Sequence, residues 1–336
     1  MIFAKQLRDT LDRLLSEYEP LLLLGEDIKD PYGGAFKITK GLSTKYPERV
    51  IATPISEAGL VGIAAGLALD GWRPIVEIMF GDFMTLTFDQ VVNHLAKYER
   101  MYNEAVTCPV VIRTPMGGGR GYGPTHSQSL EKFFLGIPNF KIYALSLYIS
   151  PHDIFKHILQ HETPCLLVEH KLLYPQKMRL PKNGFINDNI CTIEKKSDSL
   201  PIVSISPVPV EECNLTVLAY GFQAYAVEQL LQTLAIDKEI FVNLLVVSDL
   251  SNPDMDSIAA SIEQTRNLLV VEESTQGATW GNEVIANLSC DANLTQGIKF
   301  CRAHSLDTVI PCSHKKEAEM LINGNKIDEI IGEIFS

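Results

Sequence analysis

Leu7, Leu11, Leu14 and Leu15 recur at helical spacing, so residues 3–17 are expected to form an amphipathic helix. The pattern then changes. Apolar runs of strand length follow at 21–25, 49–55, 74–80, 109–115, 141–146 and 165–170, with helical spacing between several of them at 57–70, 84–100 and 151–161. Near-continuous apolar runs read as strands buried on both faces, and alternation with helices predicts a mostly parallel sheet covered on each side. Residues 175–212 break this rhythm with prolines, mixed charge and little helical period, including KKSDS and PIVSISPVPV. Alternation resumes with strands at 215–221, 241–249, 267–273 and 298–304, helices to about 236 and near 254–265 and 281–289, and a last helix from 315. The expected organisation is an α/β domain over 1–178, a linker over 179–212 that could hold short strands of its own, and a smaller α/β domain over 213–336.

The composition adds exclusions. The 336 residues suit two domains with a sizeable core, and 46% hydrophobic against 21% charged is ordinary for a globular chain. A net charge of -12 argues against nucleic acid or an anionic membrane as partner. The seven cysteines make no CxxC pair and sit mostly in apolar stretches, which points to reduced thiols in a cytoplasmic protein. Asp9 and Asp12 stand where a leader peptide avoids acids, and no apolar run reaches the ~20 residues of a membrane span. The histidines show no HExxH or other metal spacing, so no metal site is expected in this chain.

Three strand ends carry candidate chemistry. In TPISEAGLVGIAAGLAL, Glu57 follows an apolar strand and opens a helix of alanine, glycine and leucine. Ligands of open parallel sheets bind beyond the strands' carboxyl ends, and a shielded carboxylate there suits proton exchange with a ligand. An acid that merely favours the helix dipole fits the local sequence too. His126 lies in MGGGRGYGPTHSQS after the strand PVVIRTP. This loop lacks the GK[ST] ending of a phosphate loop and the spacing of a dinucleotide fingerprint. It reads as a mobile wall with His126 as proton donor or anion contact, or as a surface loop with an incidental histidine. Phe83, after PIVEIMF, can stack on a flat ring or simply pack in the core.

Taken in order, GEDI…YGGAFKITKGL, RVIATPISEAG, RPIVEIMFGDF, DQVVNHLAKY, PVVIRTPMGGG, GPTHSQS and PCLLVEHKLLY resemble the β subunits of pyruvate, branched-chain 2-oxo acid and acetoin dehydrogenase E1 components. The resemblance continues through LTVLAYG, VVEES and IPCSHKKEAEML. It implies a transketolase-like, thiamin-diphosphate-binding pyrimidine domain followed by a smaller α/β transketolase C-terminal domain. It also implies a cofactor held between this chain and an α-type subunit in an α2β2 heterotetramer. Glu57 then matches the glutamate that hydrogen-bonds the aminopyrimidine ring, Ile55 and Phe83 match residues packing on that ring, and His126 matches a histidine near the substrate and the lipoyl acceptor.

The expected reaction is oxidative decarboxylation of a 2-oxo acid with acyl transfer to a lipoyl-bearing E2. The only echo here of the GDG motif that holds Mg2+ and diphosphate is Gly81-Asp82-Phe83, so those ligands are expected on the partner. A K+ ion in the β subunit is a further expectation, with Asp153 as its candidate. Three features depart from the common form: the extra residues in DIKDPYGG, Leu86 where some pyruvate enzymes carry a polar residue, and the linker. They keep open a transketolase-like or acyloin-forming subunit that works without E2. A catalytically silent assembly partner is the remaining alternative, against which Glu57, Phe83 and His126 stand together.

Overall fold

The structure is a computed structural model that describes residues 1–194, 200–290, 294 and 296–336. The chain divides into two compact units. One comprises 1–117, 134–145 and 150–178; the other comprises 118–133, 146–149 and 179–336.

The first unit is built on six parallel strands: β1 (Leu21–Gly25), β2 (Val50–Ala52), β3 (Arg73–Glu77), β4 (Val111–Met116), β5 (Lys141–Ala144) and β6 (Cys165–His170). Their order is β2-β1-β3-β4-β6-β5. The chain leaves β1 for β2 on one side, then crosses to β3 on the other. Such a reversal leaves a crevice beyond the carboxyl ends of the strands beside it. β1, β4 and β6 are buried throughout, as strands covered on both faces must be. The amphipathic helix appears as Phe3–Glu17, burying Leu7, Leu11, Leu14 and Leu15.

The helix expected over 84–100 is irregular. A 3₁₀ stretch at Gly81–Thr87, a π turn at Gln90–Leu95 and a short α-helix at Tyr98–Met101 take its place. Thr85 Oγ1 donates to Asp82 O at 3.0 Å and Thr87 Oγ1 to Met84 O at 2.8 Å. Hydroxyls that bind nearby carbonyls compete with the α-helical ladder.

The second unit holds seven strands in the order β13-β12-β10-β11-β9-β8-β7. They are β7 (Phe185–Ile186), β8 (Asn189–Glu194), β9 (Ile202–Ser206), β10 (Leu215–Ala219), β11 (Val242–Val246), β12 (Asn267–Thr275) and β13 (Lys299–Ser305). β10 to β13 are parallel and β7 to β9 antiparallel. The stretch expected as a linker therefore supplies three strands of this sheet. Pro201 and Pro207 flank β9, where no ladder N–H is required. Residues 195–199, the whole of KKSDS, lie outside the described residues. Among the described residues, no helix is long and apolar enough to cross a membrane.

Glu272, buried in β12, gives this unit a pH dependence. Burial pushes its carboxyl up to about 7, with the like charge of Glu131 adding to the effect and Arg302 opposing it. The folded chain thus holds a proton that an unfolded glutamate releases near 4.5. Folding takes up that proton between these values, so stability falls as pH rises through the window and levels off above about 7. The difference is expected to be on the order of 3 kcal/mol. Urea unfolding of the wild type and Glu272→Gln between pH 5 and 8 checks it: the slope should flatten in the variant.

Candidate functional site

Glu26 directly follows β1, Glu57 lies shortly after β2, and Phe83 lies beyond the end of β3, so the crossover at β1 gathers the three loops. Glu57 is the first residue of helix Glu57–Leu69, capped by Ser56, whose Oγ accepts from Gly59 N at 3.3 Å. The backbone N–H of Ser56 donates to Glu26 Oε1 at 2.9 Å, tying the start of this helix to the end of β1. Glu57 is 6% exposed. Among the described residues, none donates a hydrogen bond to its carboxylate.

The neighbouring polar groups point the same way. Glu26 is buried, and desolvation raises its pKa; the charges of Glu57 and Asp27 raise it further, against the hydrogen bond from Ser56. Glu26 Oε2 and Thr53 Oγ1 are buried without a hydrogen-bond partner among the described residues. Buried oxygens in that state cost about 1–3 kcal/mol each unless something outside the chain satisfies them. Phe83 is half-buried, edge-on to Phe80 at 6.2 Å, and Ile55 is 72% exposed. A shielded acid, two orphaned oxygens and two apolar side chains fit a flat heteroaromatic ring with hydrogen-bonding edges.

His126 belongs to the other unit. It is half-buried in the segment 118–133, and its Nδ1 lies 3.0 Å from Thr125 Oγ1. The first unit thus brings Glu57, Ile55 and Phe83 to one set of strand ends, while the second carries His126. Asp153, the candidate for a monovalent ion, is exposed in the first turn of helix Pro151–Leu159. Among the described residues, no group of three or more His, Cys, Asp or Glu side chains gathers as a metal site.

Beneath the strand ends lies a charge cluster that the sequence reading passed over. Arg113 of β4, 1% exposed, forms a bidentate pair with Glu169 of β6 through Nε at 2.7 Å and Nη2 at 2.8 Å, and its Nη1 meets Glu77 of β3. Tyr174 donates to Glu169 Oε2 at 2.6 Å. Burial raises the pKa of Glu77 against the pull of Arg113, and the two carboxylates hold the guanidinium firmly protonated. The signal was present: each charge interrupts an apolar strand run, and Glu77 and Arg113 are register partners. Nearby, Gly117 at φ 87° closes β4, and a Cβ there would fall 2.0 Å from His170 Nε2.

The two halves belong to the transketolase class. Residues 1–177 match the family described as transketolase, pyrimidine binding domain, and residues 206–327 the transketolase C-terminal domain. Within that class, the chain belongs to the family of E1-component β subunits of the pyruvate and acetoin dehydrogenases. It is 32% identical to the pyruvate dehydrogenase E1 component subunit beta of Gracilaria tenuistipitata var. liui over 98% of this chain and 97% of the relative. It is 30% identical to the acetoin:2,6-dichlorophenolindophenol oxidoreductase subunit beta of Cupriavidus necator, over 89% of this chain and 88% of the relative. A solved structure titled split gene transketolase, inactive beta4 tetramer, shares the fold at a TM-score of 0.75, with 17% identity, 99% of this chain and 98% of that one covered.

Replacing Arg113 with methionine leaves two carboxylates buried without a cation. The cost is expected to be about 3–5 kcal/mol near neutral pH. It should shrink toward pH 5, because burial raises the pKa of Glu77 and lets it take up a proton. Urea unfolding at the two pH values reads both effects.

Proposed function

We propose that this chain is the β-type subunit of a thiamin-diphosphate-dependent 2-oxo acid dehydrogenase E1 component, active with an α-type partner in an α2β2 assembly. The observation that carries the reading is Glu57: a nearly buried carboxylate with no donor among the described residues, at the start of an apolar helix beyond a strand end. Bound thiamin diphosphate supplies the electron sink that lets the bond between carbonyl and carboxylate break with release of CO2. Glu57 would bind and hold a proton at a ring nitrogen of the aminopyrimidine. Ile55 and Phe83 would pack on its faces and keep water away. Glu26 would brace the turn before Glu57 through Ser56 N. His126 would contact the substrate anion or donate a proton as the acyl group moves to its acceptor.

The partner is supported by what this chain leaves exposed. Gly59, Gly62, Ile63 and Gly66 form an open face on helix Glu57–Leu69, next to the proposed cofactor end. Mg2+ and the diphosphate are assigned to the α-type subunit, as are the carboxylates that would bind them. The 2-oxo acid is a pyruvate-like or branched-chain substrate, and lipoyl-E2 is the acceptor. A second reading is acyloin chemistry without E2. The acetoin-linked relative supports it at nearly the same identity as the pyruvate-linked one.

Glu57→Gln in the assembled enzyme should lower thiamin-diphosphate-dependent decarboxylation by about 10²-fold or more, while assembly is unchanged. Turnover is measured with pyruvate, a branched-chain 2-oxo acid and acetoin, using a dye acceptor and then an isolated lipoyl domain. Full turnover by the variant would sink the reading. Activity with acetoin but no lipoyl acylation would select the second one.

A further inference from the structure

The glycine-rich segment after β4 is bound by two carboxylates of the second unit, to which residues 118–133 belong. Glu273 Oε1, near the end of β12, accepts from Gly118 N at 2.8 Å and from Ser129 Oγ at 3.0 Å. One oxygen therefore closes the segment 118–129 at both ends. The other oxygen of Glu273 accepts from Gln223 Nε2 at 3.1 Å, which orients the carboxylate. Glu317, on helix His314–Met320, accepts from Gly119 N on Oε1 at 3.0 Å and from Gly121 N on Oε2 at 2.6 Å. Glu317 is fully buried and Glu273 nearly so.

Successive glycine N–H groups turned toward one point make a site for an anion, and in phosphate loops a ligand supplies it. Here the chain supplies its own. The fit is close: a Cβ on Gly118 would fall 2.3 Å from Leu321 Cδ1 and 3.0 Å from Glu317 Oε1, and Gly119 and Gly121 take φ of 82° and 70°. His126 lies inside the closed segment, its own N–H donating to Gly123 O at 3.4 Å. Lys132, just beyond, donates to Thr275 O at 3.1 Å and Thr275 Oγ1 at 2.9 Å and anchors the exit.

We propose that Glu317 and Glu273 are positioning residues that hold the His126 segment in its working shape by acting as an internal anion for its glycine amides. The functional half of this rests on the role proposed above for His126; the structural half does not. A hydrogen bond to a charged group contributes enough that losing one changes local opening by about tenfold or more.

Glu317→Gln keeps the size of the side chain and one acceptor oxygen, and Glu317→Ala removes both. Hydrogen exchange of the full-length chain should speed up in peptides covering 117–129, by about tenfold for the glutamine variant and more for alanine, with β10 to β12 unchanged. In the assembled enzyme, kcat for decarboxylation and lipoyl acylation should fall in the same order, while KM for thiamin diphosphate stays at the wild-type value. Unchanged exchange at 117–129 in both variants overturns the inference. Faster exchange with undiminished kcat overturns it as well. His126→Ala turning over at the wild-type rate sinks the role of His126, and closure by Glu317 is then decided by the exchange result alone.

Discussion

A guanidinium at the centre of a parallel sheet cannot remain there unless its charge is met on the spot. Arg113 projects from β4 between the strands that carry Glu77 and Glu169, and both acids are as dry as it is. Removing three charges from water costs several kcal/mol each, and the bidentate geometry to Glu169 is what makes the arrangement tolerable. The result is a constraint on register. Glu77 sits opposite Arg113 across the β3–β4 ladder, and a one-residue slip would turn it to the other face. The ends of β3, β4 and β6 are thereby fixed in relation to one another. Phe83, Gly117 and His170 all hang from those ends.

The neighbouring strand ends follow a different logic. Among the described residues, Glu26 and Glu57 have no basic partner of this kind, and a backbone N–H of Ser56 is the donor Glu26 receives. One carboxyl group held more neutral by burial and by its neighbour's charge, beside a second that none of the described residues satisfies, is a poor design for stability. It is a sensible one for a group that must meet a ligand nitrogen. The paired charges of the sheet interior thus hold strand register, whereas the acids at its rim are left for the role proposed for them.

The fold was legible because its strands are short apolar runs at regular intervals, and those runs lie where the hydrophobic pattern puts them. What the pattern hid has physical reasons. β8 and β9 lie in a stretch of prolines and mixed polarity without the apolar rhythm of the other strands, so the stretch reads as a linker. Residues 84–100 carry helical spacing, but Thr85 and Thr87 divert carbonyls from the ladder. At the site, Glu57 and Phe83 stood out as strand-end residues, whereas Glu26 entered only as part of GEDI, because a single acid after LLLLG has no period to break. Glu317 was invisible for a deeper reason. Its partners are glycine amides nearly two hundred residues away in the chain, and no local pattern encodes a contact of that separation.

Helix Glu57–Leu69 presents a face that the rest of the chain does not cover. Glycine in a helix interior costs about 1 kcal/mol relative to alanine. At Gly59 the loss has a local reason, since a Cβ would crowd Ser56 Oγ at 2.9 Å. At Gly62 and Gly66 there is none: a Cβ at either position would meet nothing within 4 Å. Ile63 lies exposed between them. Two unfavourable glycines and an uncovered isoleucine on one face make physical sense when another backbone comes close enough to exclude a methyl group. Under the proposed function that backbone is the α-type subunit's. Its close approach would cover the same helix whose first residue is Glu57, so subunit association would seal the end of a helix whose carboxylate the chain has already buried.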